Sequence, residues 1–203
     1  MENFFLGFLT GGSLILAIGP QNLFVIEQGL KKKFVFSVTT ICFFSDVLLI
    51  FLGIYLFNLF NYLVLKYNFY LNLLLIIFLL NFIRHKIKDF QDGYNIKYEN
   101  EKNDYKLVIF KTLGFTYLNP HVYSDTVFFL GNFSKNFLIS HKYFFGIGAA
   151  IASFLFFFSL GYLAKFFSNY LIDSRAWKIM NFFIIIFMTV LSSYVFIEII
   201  DLV

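Results

Sequence analysis

Six stretches of the chain, at roughly residues 4–26, 35–60, 67–84, 107–133, 143–167 and 177–200, are largely apolar and close to the about 20 residues that a helix needs to cross a bilayer. Hydrocarbon offers no partner for backbone N–H and C=O groups, so such runs must satisfy them internally, as a helix does. The pattern predicts an all-α integral membrane protein with six transmembrane helices in a single domain, residues 1–203. Only 14% of residues are charged and 60% are apolar, which fits a polytopic chain. The 33 Phe and 13 Tyr are read as compositional bias, not as an aromatic binding surface. The N-terminus, MENFF, has no basic region, and the first apolar run carries Gly-Pro where a cleavage site would stand, so residues 4–26 are read as a retained helix.

The charged residues supply an orientation. Lys31, Lys32 and Lys33 follow the first helix, a basic group from Arg84 to Lys111 follows the third, and Lys165, Arg175 and Lys178 follow the fifth. Of 16 Lys and Arg, only Lys66, Lys135 and Lys142 fall on the other side. The positive-inside rule places the loops after helices 1, 3 and 5 in the cytoplasm and both termini outside. That topology accounts for the formal charge of +4 without nucleic acid. Asn58, Asn61, Lys66 and Asn68 leave only a short turn between helices 2 and 3. Residues 85–106 form a polar linker too short to be a domain. Cys42 has no intrachain partner and reads as a small buried hydrophobe.

Only two prolines occur, Pro20 and Pro120, 100 residues apart. Proline lacks an N–H and clashes with the carbonyl four residues back, so Pro20 frees the carbonyl of Leu16 and Pro120 that of Thr116. Gly19 and Asn119 are pushed away from helical geometry. Asn119 before Pro120 fits an N-cap with Pro at the first helical position, and Gly19 before Pro20 is a weaker form of that signal. Each proline lies in the first helix of a three-helix half, about 1–84 and 107–203. Three is odd, so the halves would enter the membrane in opposite senses, as two inverted repeats with broken helices 1 and 4. A restarted helix presents free N–H groups and a positive dipole end, which attract an anion such as a carboxylate. One proline kink is ordinarily a packing device. Two at matching positions point to a site.

Two acids lie well inside apolar runs, Asp46 in ICFFSDVLLIF and Asp125 in NPHVYSDTVFF. An ionisable group at bilayer depth costs at least about 2.5–3.5 kcal/mol, so it faces a cavity or a partner. Helices 2 and 4 offer no Lys or Arg at these depths, so a moving cation, cargo or proton, fits better than a fixed ion pair. On an α-helix His121 and Asp125 share a face, as do Asn119 and Tyr123. His121 reads as a proton relay or as a hydrogen-bond partner of Asp125, and not as a metal ligand. Gln21 and Asn22 read as cavity-lining amides. Glu27 and Glu198 lie near helix ends, where snorkelling to the interface suffices. No phosphate loop, zinc spacing or serine elbow is present, and the two aspartates stand in unrelated contexts for a protease dyad, so no enzyme, metal site or cofactor is expected.

Three blocks, GPQNLFVIEQGL at 19–30, CFFSDVLLIFLG at 42–53 and YLNPHVYSDTVFFLG at 117–131, together resemble the lysine exporter (LysE) family, and NPHVY resembles its arginine exporter branch. The likeness continues through AIASFLFFFSLGYLAKF and RAWKIMN. The matching positions are Gly19, Pro20, Gln21, Asn22, Gln28, Gly29, Ser45, Asp46, Asn119, Pro120, Tyr123 and Asp125, with His121 matching the arginine branch. Tyr117 stands where Trp is usual, Ser124 where an apolar residue is usual, and Glu27 where neutral or basic residues are common. The resemblance implies a six-helix bacterial inner-membrane carrier that exports lysine or arginine by secondary active transport on the proton motive force, without ATP or cofactor.

The expected mechanism is antiport by alternating access. The restarts at Pro20 and Pro120 bind the substrate carboxylate, Asp46 and Asp125 neutralise its cationic groups, and Gln21, Asn22, Asn119, His121 and Tyr123 line the site or couple protons. The expected partners are a basic amino acid, protons and the lipid bilayer, with no nucleic acid and with a homo-oligomer left open. The alternatives are export of neutral amino acids of the homoserine and threonine type, export of a divalent cation through oxygen and imidazole ligands, or a non-transporting membrane partner docking through residues 84–106.

Overall fold

The computed structural model describes residues 1–16, 19–92, 105–168 and 174–201, all-helical apart from short connections. Most of the polar linker, including Lys97 and Lys102, lies outside the described residues. The elements are α1 (Glu2–Ile15), α2 (Pro20–Leu30), α3 (Val35–Asp92), α4 (Tyr105–Tyr117), α5 (Pro120–Tyr123), a π-helical segment (Ser124–Phe129), α6 (Leu130–Ser134), α7 (Ile139–Phe167) and α8 (Ser174–Asp201). Val35–Phe57 and Ile139–Phe167 are each long and apolar enough to cross a membrane, and α1 with α2 makes a third such run, bent by 80°. Asn72–His85 and Phe182–Ile197 are shorter apolar helices. The stretch read as 107–133 is divided among α4, α5, the π-helical segment and α6.

The expected turn between the second and third apolar runs is replaced by a break earlier in the chain. α3 carries helical geometry through Asn58, Asn61, Lys66 and Asn68, and its one non-helical residue is Leu56 (φ −118°, ψ 26°). A departure there interrupts the ladder of the preceding carbonyls. Lys142 Nζ, from the start of α7, donates to the Ile54 carbonyl at 3.3 Å and supplies what the ladder loses. A straight helix of this length would measure roughly 87 Å. Instead Cys42 on one arm and Leu79 on the other belong to a single core cluster.

That cluster is centred on Phe115 of α4, whose ring lies 4.8 Å from Phe78 and from Phe82 and 5.2 Å from Phe24. Part of the phenylalanine excess is therefore a packed aromatic core that joins α2, α3 and α4. α7 is the other organiser. Gly7 and Gly11 of α1 form a Gly-x-x-x-Gly face against it: a Cβ on Gly7 would overlap the Phe145 carbonyl, and one on Gly11 would lie 2.8 Å from Ala149 Cβ. Gly148 of α7 meets the Phe4 carbonyl in the same way. Within a membrane, helices gain little from hydrophobic exclusion, so backbone approach through small residues is what joins α1 to α7. α3 crosses the π-helical segment as closely, with a Cβ on Gly53 placed 2.7 Å from Val127 Cα.

Candidate functional site

The first break is built as its sequence requires. Gly19 is extended (φ −113°, ψ 177°), and Pro20 occupies the first position of α2, where its missing N–H costs no bond. The Gly19 carbonyl accepts from Leu23 N at 3.1 Å, opening the new ladder. Asn22 Nδ2 donates to the Ile15 carbonyl at 3.3 Å, so a side chain of α2 closes the end of α1. The carbonyl served is Ile15, one residue before the Leu16 carbonyl that proline sterics single out.

Beside this break lies a short line of buried polar groups. Gln21, 6% exposed, lies near the Cys42 thiol, and its Nε2 has no hydrogen-bond partner among the described residues. Cys42 is one helical turn before Asp46 on α3. Asp46 is 3% exposed and accepts a hydrogen bond from Ser153 Oγ of α7 at 2.9 Å. Among the described residues no Lys or Arg pairs with Asp46. The line Gln21, Cys42, Asp46, Ser153 thus spans α2, α3 and α7 and puts the first break next to the buried acid. Ser153 is 107 positions from Asp46, and a lone serine in AIASFLF gave no sign of its role.

The second break repeats the device with different parts. α4 ends at Tyr117, α5 begins at Pro120, and the Asn119 carbonyl accepts from Val122 N at 3.1 Å. Asn119 is 3% exposed. The Tyr123 hydroxyl reaches back across the break and donates to the Tyr117 carbonyl at 2.6 Å, as Asn22 does for Ile15. Tyr123 is buried against Leu49 and Val127. Leu49 is one turn beyond Asp46, which brings the second break to the same arm of α3.

Asp125 falls in the π-helical segment, where the wider turn does not keep α-helical spacing. The α-helical spacing that would give His121 and Asp125 one face is therefore not kept across the junction between α5 and the π-helical segment. Pro120, His121, Ser124 and Asp125 are described by their backbone. A π turn beside a break is frequent at functional sites, and nothing in the residue pattern announced it.

Glu27 departs from the snorkelling expected of it. It is 2% exposed, and its Oε1 lies 2.5 Å from Lys31 Nζ, one turn on. Lys31 is the C-cap of α2, and the turn behind it has Lys32 N on the Gly29 carbonyl at 2.9 Å and Lys33 N on the Gln28 carbonyl at 3.1 Å. This is a Schellman turn with lysine, at φ 55°, where glycine is usual. Among the described residues no three His, Cys, Asp or Glu gather as a metal-binding group.

Residues 12–198 match the family model described as LysE type translocator. The chain is 33% identical over 184 residues to the arginine exporter protein ArgO of Klebsiella pneumoniae, covering 88% of this chain and 85% of that protein. It is 33% identical over 190 residues to the ArgO of Pectobacterium carotovorum, covering 89% and 90%. The ArgO of Salmonella enteritidis PT4 is likewise 33% identical over 184 residues, covering 88% and 85%. No solved structure matches.

Proposed function

The chain belongs to the LysE type translocator family, and from that premise we propose that it is a bacterial membrane exporter of basic amino acids, arginine foremost. It is a transporter and not an enzyme. The relatives named as arginine exporters match over nearly nine-tenths of the chain, and the local chemistry fits their cargo. The observation that carries the reading is Asp46: a carboxyl 3% exposed, beside a broken helix, whose described hydrogen-bond donor is a neutral hydroxyl. A buried carboxyl without a fixed cation is a place for a mobile one, and a guanidinium, an ammonium and a proton all qualify.

The architecture in this proposal is six membrane passages in two inverted halves, with the loops after the first, third and fifth on the cytoplasmic side. Supporting it are the two breaks, each opening on a proline and each closed by a side chain from the restarted helix, Asn22 in one half and Tyr123 in the other. The cargo carboxylate sits at the N-terminal ends of α2 and α5, near Gln21 and Asn119, and its cationic groups face Asp46 and Asp125, with His121 in the proton path. Proton entry from outside discharges the acids and releases the cargo, which makes the cycle an antiport.

The test is export of labelled arginine and lysine from preloaded cells. Asp46→Asn and Asp125→Asn proteins that reach the membrane at parental abundance are expected to export at least about tenfold more slowly, and a protonophore is expected to stop parental export. Full-rate export by either variant would remove that acid from the mechanism.

A further inference from the structure

Glu27 presents a buried carboxylate that the central site does not use. Six residues separate it from Gln21, so it lies about 9 Å further along α2, toward the three lysines. Its partner is unusual in how it arrives. The Lys31 side chain is 24% exposed, yet its ammonium meets a carboxylate whose side chain is 3% exposed. An alkylammonium chain therefore passes from the wet, basic end of α2 down to a carboxylate inside the protein. The carbonyl end of the α2 dipole adds to the attraction for a cation there. Burying such a pair is a poor way to gain stability, because the desolvation of both ions offsets their attraction. A free lysine or arginine carries the same kind of head on a chain of similar length.

Resting on the proposed export of basic amino acids, we propose that Glu27 is a docking site for the cationic side chain of the cargo at the entry side, with Lys31 as its tethered resident. Cargo enters by displacing Lys31 from Glu27 and then moves on toward Gln21 and Asp46. A group tethered one helical turn away competes at an effective concentration of order millimolar. Cargo displaces it only when its own concentration approaches that range, so the pair sets a threshold below which export is slow.

The test is the dependence of arginine export on internal arginine, in cells carrying the full chain and with membrane abundance measured for each variant. Lys31→Gln removes the competitor and is expected to lower the half-saturating concentration about fivefold, Glu27→Gln to raise it by a similar factor at nearly unchanged maximal rate, and Lys31→Arg to stay close to the parent. The double variant Glu27→Gln/Lys31→Gln leaves no lone buried charge and is expected to match Glu27→Gln. Opposite shifts in the two single variants support the docking site, as does a raised value in the double variant should Lys31→Gln fail to accumulate. Equal values in all variants, shifts of the same sign in both single variants, or a double variant restored to the parental value would make the pair structural and overturn the inference. A parent that exports neither arginine nor lysine would instead overturn the function on which the inference rests.

Discussion

The Ser153 hydroxyl is the donor to the buried Asp46 carboxyl. Removing a donor from a buried polar group costs about 1–3 kcal/mol, and here that cost falls on the acid assigned to the cargo. Ser153→Ala is expected to slow arginine export by about tenfold at unchanged membrane abundance, while Ser153→Thr keeps most of it; an alanine variant exporting at the parental rate would separate Asp46 from this neighbour. Lys32 offers a contrasting prediction about stability alone. An L-residue held at φ 55° at the end of α2 is strained, and Lys32→Gly is expected to stabilise the protein by about 1 kcal/mol. The measurement is the thermal midpoint in detergent, where no rise or a fall would show that the lysine side chain contributes more than its backbone costs.

Helix contacts obey a harsher rule, because backbone cannot move aside as a side chain can. Gly7→Leu forces an atom into the Phe145 carbonyl and is expected to separate α1 from α7, seen as loss of mature protein from the membrane. Gly12→Ala is the control on the same helix: its added carbon would lie 3.8 Å from Ala152 Cβ, an ordinary contact, and normal accumulation is expected. If both variants accumulate equally, the close approach of α1 to α7 is not what joins them. At this scale the sequence was partly legible. Pro20 and Pro120 marked both breaks, since a missing N–H and a ring clash are local facts. The bonds that close those breaks were not marked, because Asn22 and Tyr123 act across the gap only once two helix segments have taken an angle. Leu56 was missed for the same reason, since its broken ladder is compensated at the Ile54 carbonyl by Lys142, 88 positions beyond Ile54.

For the whole molecule, orientation is the testable quantity. Cys42 is the only cysteine and is fully buried, so the parent is a blank background for thiol labelling. With an impermeant maleimide, Lys32→Cys is expected to react only from the cytoplasmic side and Lys66→Cys only from outside; labelling of both from one side would undo the proposed orientation of the first half. The sequence by itself determined that this chain is helical and membrane-embedded, that helices break at Pro20 and Pro120, and that Asp46 is buried without a neighbouring cation on its own helix. Each of these follows from the solvation of a residue and its near neighbours. Only the tertiary structure decided that Ser153 is the partner of Asp46, that Glu27 is buried with Lys31, and that α3 folds its two arms into one core. Those pairings join groups whose separation along the chain carries no information about their distance, or, for Glu27, depend on which helices cover its side of α2.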